Sequence, residues 1–216
     1  MDMKTLEKLI KGRRSIRKWK REEVSDELLK KGVELATWAP NGGNYQGWRF
    51  IIVKNKDVKE KMADAVQSAA DKIASWPEAM TWQEDIKRYQ KNASFFRNAP
   101  VCIGVFTSEY QSVMDKALIA RESFDHEAKE ILGFRRSAPT AIQSVAAAVT
   151  TMLLVFHQMG LGAVWLVAPL MAKKEIETIL KITMGLSLIC LIAVGYPDEA
   201  PQKDRKPVDQ VLEFIR

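Results

Sequence analysis

The stretch "RRSIRKWK", Arg13 to Lys20, places Arg13, Ser15 and Arg17 at alternate positions. An extended chain points alternate side chains the same way, so all three would face one ligand. Two planar guanidiniums around a hydroxyl suit the oxygens of a phosphate. Plain solvation is the competing chemistry, because cations just past a helix C-terminus complement its dipole in water. Arg14 falls on the opposite side of the alternation, toward solvent or a subunit interface.

A second polar cluster, "APNGGNYQGWRF" at 39–50, interleaves Pro40, Gly42, Gly43 and Gly47 with the carboxamides Asn41, Asn44 and Gln46. It reads as a turn, where Asn and Gly bring backbone freedom. It reads equally as a ligand loop, whose N–H groups and carboxamides match a heteroaromatic edge such as a pyrimidine. "GLGAVW" at 160–165 opens like a dinucleotide fingerprint, yet it lacks the third glycine and leaves a helix for a strand. That order is the reverse of the Rossmann motif, which is rejected. The chain offers no Ser-His-Asp or Cys-His arrangement. His126 and His157 lie too far apart to suggest a metal site, and Cys102 and Cys190 sit in apolar runs as buried hydrophobes.

The elements that must carry these clusters alternate along the chain. "TLEKLIKG" reads as a short helix closed by Gly12, and "SDELLKKGVELATWA" as a helix with Ser25 as N-cap. "WRFIIVKN", "APVCIGVF", "GAVWLV" and "LSLICLIAVG" are strands. Helices are predicted at 57–75, at 78–97, within "SFDHEAKEILGF", near 141–159 and over "AKKEIETILKI". Trp48 and Trp165, beside strands, read as core rather than ligand-stacking rings. From Ala138 to Ala172 there is no charged side chain, but Gln143, Ser144, Thr150 and Thr151 interrupt the run and Gly160 and Gly162 break it. The 141–159 helix is therefore expected to be buried on every side, in a core or at a subunit interface, and not in a membrane.

The chain of 216 residues has a formal net charge of +6, with 33 basic residues against 27 acidic ones, mixed along its length. That balance admits an anionic ligand and falls short of a nucleic-acid signature. With no apolar leader segment and no C-x-x-C, a cytoplasmic protein of one α+β or α/β domain is expected.

Four blocks in order, "RRSIRKW", "APNGGNYQGWRFIIV", "MGLGAVWL" and "AVGYPDEAPQKDRKPVDQV", resemble the FMN-dependent nitroreductase family. The resemblance implies an α+β fold, a mixed and largely antiparallel sheet flanked by helices, built as an intertwined homodimer over residues 1–216. It implies that Arg13, Ser15 and Arg205 bind the FMN phosphate, with Arg14 in the cofactor set and Lys206 a weaker candidate. Arg17 stands near the pyrimidine edge of the flavin, where a cation stabilises the reduced anion. Pro40, Asn41, Gly42 and Asn44 reach the cofactor from the second subunit, although the family commonly has Ser where Asn41 stands and Pro where Gly47 stands. Val167 and Ala168 lie beside flavin N5. In the iodotyrosine-type branch a threonine occupies the place of Ala168 and donates its hydroxyl there. The 76–97 segment forms a variable cover over the acceptor site. The implied activity is a ping-pong hydride relay from NADH or NADPH through FMN to a nitroaromatic or quinone, with no catalytic side chain and no metal. A reductive dehalogenase and a flavin-binding protein without turnover are the alternatives.

Overall fold

The computed structural model describes residues 2–216. Four strands, β1 (Trp48–Val53), β2 (Val101–Ser108), β3 (Gly162–Leu166) and β4 (Leu186–Gly195), form one sheet in the order β1-β2-β4-β3, antiparallel throughout. The mixed character of the sheet comes down to one parallel bridge, Ser15 to Ala163. The eight helices among the described residues are α1 (Met3–Gly12), α2 (Asp26–Ala36), α3 (Lys56–Ala74), α4 (Gln83–Asn92), α5 (Val113–Arg121), α6 (His126–Ser137), α7 (Thr140–Gln158) and α8 (Lys173–Ile179).

The central strands are buried on both faces, and their alternating side chains make two cores, one on each face of the sheet. Val101, Ile103 and Val105 of β2 point into one core with Leu29 of α2 and Val149, Met152 and Phe156 of α7. Cys102 and Phe106 point into the other, with Met62 and Val66 of α3 and Ile176 of α8. Both cysteines are free and buried, and burial pushes each thiol up to about 12. Gly32 lets α2 cross α7 closely: a Cβ there would lie 2.2 Å from the Phe156 ring.

Ser25 caps α2 by accepting from the Leu28 N–H at 3.3 Å, as its residue type predicts. Three local expectations fail. The 78–97 helix is instead α4 with short 3-10 turns before and after it, because Trp82 (φ −120°, ψ 30°) and Ser94 (φ −111°, ψ 15°) leave helical geometry. Gly12 is the last helical residue of α1 and not a left-handed cap. Its missing side chain serves α7 instead, since a Cβ there would sit 3.0 Å from His157 Nε2. Finally, α7 is not buried all round. Val145, Val149, Met152 and Phe156 face the core, while Gln143, Thr150 and Gln158 are exposed and Ala147 and Leu154 half-buried on the outer side. The 126–158 stretch is long and apolar enough to cross a membrane, but it is two helices parted at Ala138–Pro139, and α7 packs its apolar face on the sheet.

Candidate functional site

The basic stretch leaves α1 in extended conformation at Arg13 and is held on both sides. On one side the Ile16 N–H donates to Ala163 O at 3.2 Å, and the Trp19 indole donates to Gly162 O at 2.9 Å. Gly162 has no Cβ because the Ile16 side chain lies 2.7 Å from where one would be. On the other side the chain returning from β4 pairs back: Lys20 N–H donates to Tyr196 O and Asp198 N–H to Lys18 O, each at 3.0 Å. Two buried hydrophobes, Ile16 and Trp19, therefore fix the backbone that displays the arginines.

A cavity of about 390 Å³ lies against this stretch, lined by Arg13, Arg14, His157 and Gly160 and by the tail residues Glu199 and Gln202. The Arg13 guanidinium titrates below its ordinary range, first through burial and then through repulsion by Arg205 and Arg14. Three guanidiniums thus share one neighbourhood. Among the described residues no carboxylate pairs with Arg13, Arg14, Arg17 or Arg205. Arg14 donates to Lys11 O and Arg13 O, while its Nε is buried with no partner in the chain. Crowded cations with an orphaned buried donor fit a phosphate, whose oxygens would satisfy all of them.

The alternation predicted from sequence does not hold here. Ser15 makes only a single bridge, so the stretch is not a regular strand, and Arg14 turns into the cavity beside Arg13. Arg17 lines a different cavity, of about 980 Å³, with Lys18, Lys203 and the α4 residues Asp85, Arg88, Tyr89 and Asn92. Its guanidinium makes one contact, to Ser15 O at 3.4 Å. Glu199 borders both cavities and is held there by the N–H groups of Arg17 and Lys18, which donate to its Oε1. Sequence alone gives Glu199 no role and sets His157 aside as a histidine too far from His126 for a metal site. Their positions, one inside a quoted tail block and one a turn before "GLGAVW", carried no signal beyond proximity to motif residues.

The amide loop is elsewhere. Gly43 (φ 60°), Asn44 (φ 52°) and Gln46 (φ 51°) are left-handed, the conformation that favours Gly and Asn. Asn41 Oδ1 accepts from the Gln46 N–H at 3.0 Å, and Asn44 Oδ1 accepts from Gln46 Nε2 at 3.1 Å. The Gly42 N–H donates to Ser144 Oγ at 3.2 Å, which pins the loop to the N-terminal end of α7. A Cβ at Gly42 would meet Thr140 at 2.2 Å, so glycine permits that approach. Pro40 and Asn44 are exposed, Asn41 and Gly42 half-buried. The arginine cavity borders His157, at the other end of the same helix. Ser144 and His157 are thirteen residues apart on α7, which at 1.5 Å per residue separates the two regions by about 20 Å.

Val167 and Ala168 follow β3 directly, Val167 exposed and Ala168 half-buried. Ala168 begins a 3-10 turn, so its N–H has no partner inside that turn. Arg205 and Lys206 are exposed on the tail, and only Arg205 is close enough to perturb Arg13.

The sequence profile of the nitroreductase family matches residues 10–196. An iodotyrosine deiodinase from Thermotoga neapolitana is 27% identical over 97% of each chain. A solved BluB-like flavoprotein from Clostridium difficile 630 has 30% identity and a TM-score of 0.85 over the whole of both chains. A solved iodotyrosine deiodinase bound to FMN and 3-iodo-L-tyrosine has 25% identity and a TM-score of 0.70 over 98% of this chain and 97% of its own.

Proposed function

The chain belongs to the nitroreductase family, and from that premise we propose that it is a homodimeric FMN-dependent oxidoreductase. It takes a hydride from NADH or NADPH and delivers one to a small electron-poor acceptor, a nitroaromatic or a quinone, in the same space. The observation that supports this most is the cluster of Arg13, Arg14 and Arg205 with no carboxylate partner, beside a cavity of about 390 Å³. A terminal phosphate suits it, which favours FMN over FAD.

When bound, FMN supplies the redox chemistry at its N5. The chain's residues hold and tune it. Arg13, Arg14, Ser15 and Arg205 take the phosphate, and the cation of Arg17 stabilises negative charge on the pyrimidine side. Val167 and Ala168, at the end of β3, flank N5 with small or apolar side chains and one turn-initiating N–H. The cavity that Arg17 shares with α4 is the acceptor side, with the 76–97 segment as its wall.

Two copies are required because one copy separates its own motifs. Antiparallel apposition of two α7 helices through the outer faces bearing Ala147, Thr150 and Leu154 would bring Pro40, Asn41, Gly42 and Asn44 of one copy toward the arginines of the other. The tail also leaves Val211, Phe214 and Ile215 at 70%, 71% and 98% exposure, apolar surface that a second copy would cover.

A second reading, reductive dehalogenation, is favoured by full-length similarity to a deiodinase. It is opposed by Ala168, which has no hydroxyl to offer N5. The deciding experiment is chromatography of heat-released flavin, then anaerobic reduction with each nicotinamide and reoxidation by a nitroaromatic, a quinone or a halotyrosine. Expected are FMN and turnover with the first two acceptors. Recovery of FAD alone, or no flavin after reconstitution, would overturn the proposal.

A further inference from the structure

His157 belongs to none of the motifs that drew attention in the sequence. It stands one residue before the end of α7 and lines the same cavity as Arg13 and Arg14. Gly12 makes room for its ring, with the Nε2 atom 3.0 Å from the place a Cβ would take. No hydrogen bond ties the ring to another group in the described chain. A large ionisable ring placed beside two guanidiniums, where the cavity's one acid, Glu199, is already held by backbone N–H groups, is poorly explained as packing alone.

We propose that His157 is a further ligand of the phosphate and binds it as the imidazolium, so that FMN binding takes up a proton. The inference rests on the FMN reading above. The surroundings define its charge balance. Arg13 and Arg14 face it from the stretch after α1, and Glu199 faces the cavity from the tail. Glu199 is engaged by the N–H groups of Arg17 and Lys18. Arg205 lies near enough to act on Arg13. On α1, Lys11 is paired with Glu7. Neither α7 nor β3 carries a Lys, Arg, Asp or Glu.

Without the phosphate, burial and then the two arginines hold the imidazole below its ordinary range, hence neutral at pH 7. A phosphate monoester is largely dianionic above its second pKa of about 6. Two negative charges among these groups offset the repulsion of the guanidiniums and favour the imidazolium, which can then donate an N–H to a phosphate oxygen. The proton must come from solvent, because the ligand has already lost its own.

The test is FMN binding to the full-length protein stripped of flavin, followed by flavin fluorescence between about pH 6.5 and 9, with riboflavin as the phosphate-free ligand. Wild-type affinity for FMN should fall as pH rises above 7, by up to about tenfold per unit for one coupled proton, while riboflavin binding stays flat. His157→Gln should bind FMN more weakly at pH 7 and show no such slope. Calorimetry of the wild type in two buffers of different ionisation heat should register proton uptake at pH 8. Equal slopes in both proteins, or no proton uptake by the wild type, would overturn the role of His157 while leaving FMN binding intact. Folded protein that binds no FMN at any pH would instead bring down the FMN reading, and this inference with it.

Discussion

The two ends of α7 handle polar groups in opposite ways. At the C-terminal end Arg13 and Arg14 crowd a cavity with no carboxylate partner, and Arg14 Nε is left without an acceptor. At the N-terminal end the carboxamides of Asn41, Asn44 and Gln46 are spent within the loop, Gln46 on Asn44 and Asn41 on backbone groups, and Ser144 holds the backbone of Gly42. Unbalanced like charge is costly for folding and persists where a counter-charge is supplied by binding. An internally braced loop, by contrast, stabilises its own left-handed backbone and presents a fixed shape outward. One end leaves charge and a donor unmatched, and the other matches its own groups and holds a conformation.

The sharpest way to break this comparison is to stop the two ends meeting. Thr150→Arg alters an exposed position on the outer face of α7 and should leave a single chain folded. If that face is apposed to a second copy, an unpaired buried charge costs roughly 3–5 kcal/mol. Scattering should then report monomers, with FMN affinity lowered by about a hundredfold or more. A dimer that still holds FMN would show that the ends are not joined across α7.

Arg13→Ala tests the open end directly. A charge-assisted hydrogen bond of about 1.5–3 kcal/mol predicts FMN affinity lower by roughly ten- to a hundredfold, with riboflavin little affected. Refolding Arg13→Ala together with Asn44→Ala should rebuild one intact site in each mixed dimer, or about a quarter of all sites after random pairing. Titrated FMN counts them, and no recovery would place both residues in the same chain's site.

Arg17→Ala should have a smaller effect on affinity, several-fold, and should lower the flavin midpoint potential. Because Arg17 and Arg13 line different cavities, the losses in the double variant should add. An unchanged potential would return Arg17 to the solvent. The smallest change concerns the chemistry between the ends. With Ala168 beside N5 as proposed, Ala168→Thr would supply a hydroxyl there and should increase the one-electron-reduced flavin seen during stepwise anaerobic reduction, with little change in affinity. Abundant one-electron-reduced flavin in the wild type, enhanced by a halotyrosine, would favour the dehalogenase reading.

Local rules read directly from the sequence include the Ser25 cap and all four strands, because a capping hydroxyl and β-branched apolar runs act within a few residues. The 78–97 segment shows where such reading stops. It reads as one helix, but the backbone leaves helical geometry at Trp82 and Ser94, so Pro77–Trp82 and Phe95–Asn98 are 3-10 turns around α4. Arg14 is a second case. Alternation sends it outward, yet the stretch lacks the ladder that enforces alternation, and bonds to Lys11 O and Arg13 O turn the side chain inward. His157 had no legible partner at all, since Arg13 and Arg14 are some 140 residues away in the chain and Glu199 some 40.

By itself, then, the sequence determined the residue types at the two polar clusters, the strands and most helices that carry them, and the family, since each follows from spacing over a few residues or from short blocks in order. Only the tertiary structure decided that Arg13, Arg14 and His157 share one cavity, that Arg17 faces another, and that the amide loop stands about 20 Å away at the far end of α7. Side chains brought together from distant segments meet through the packing of α1, α7 and the returning tail, and no local periodicity encodes that convergence.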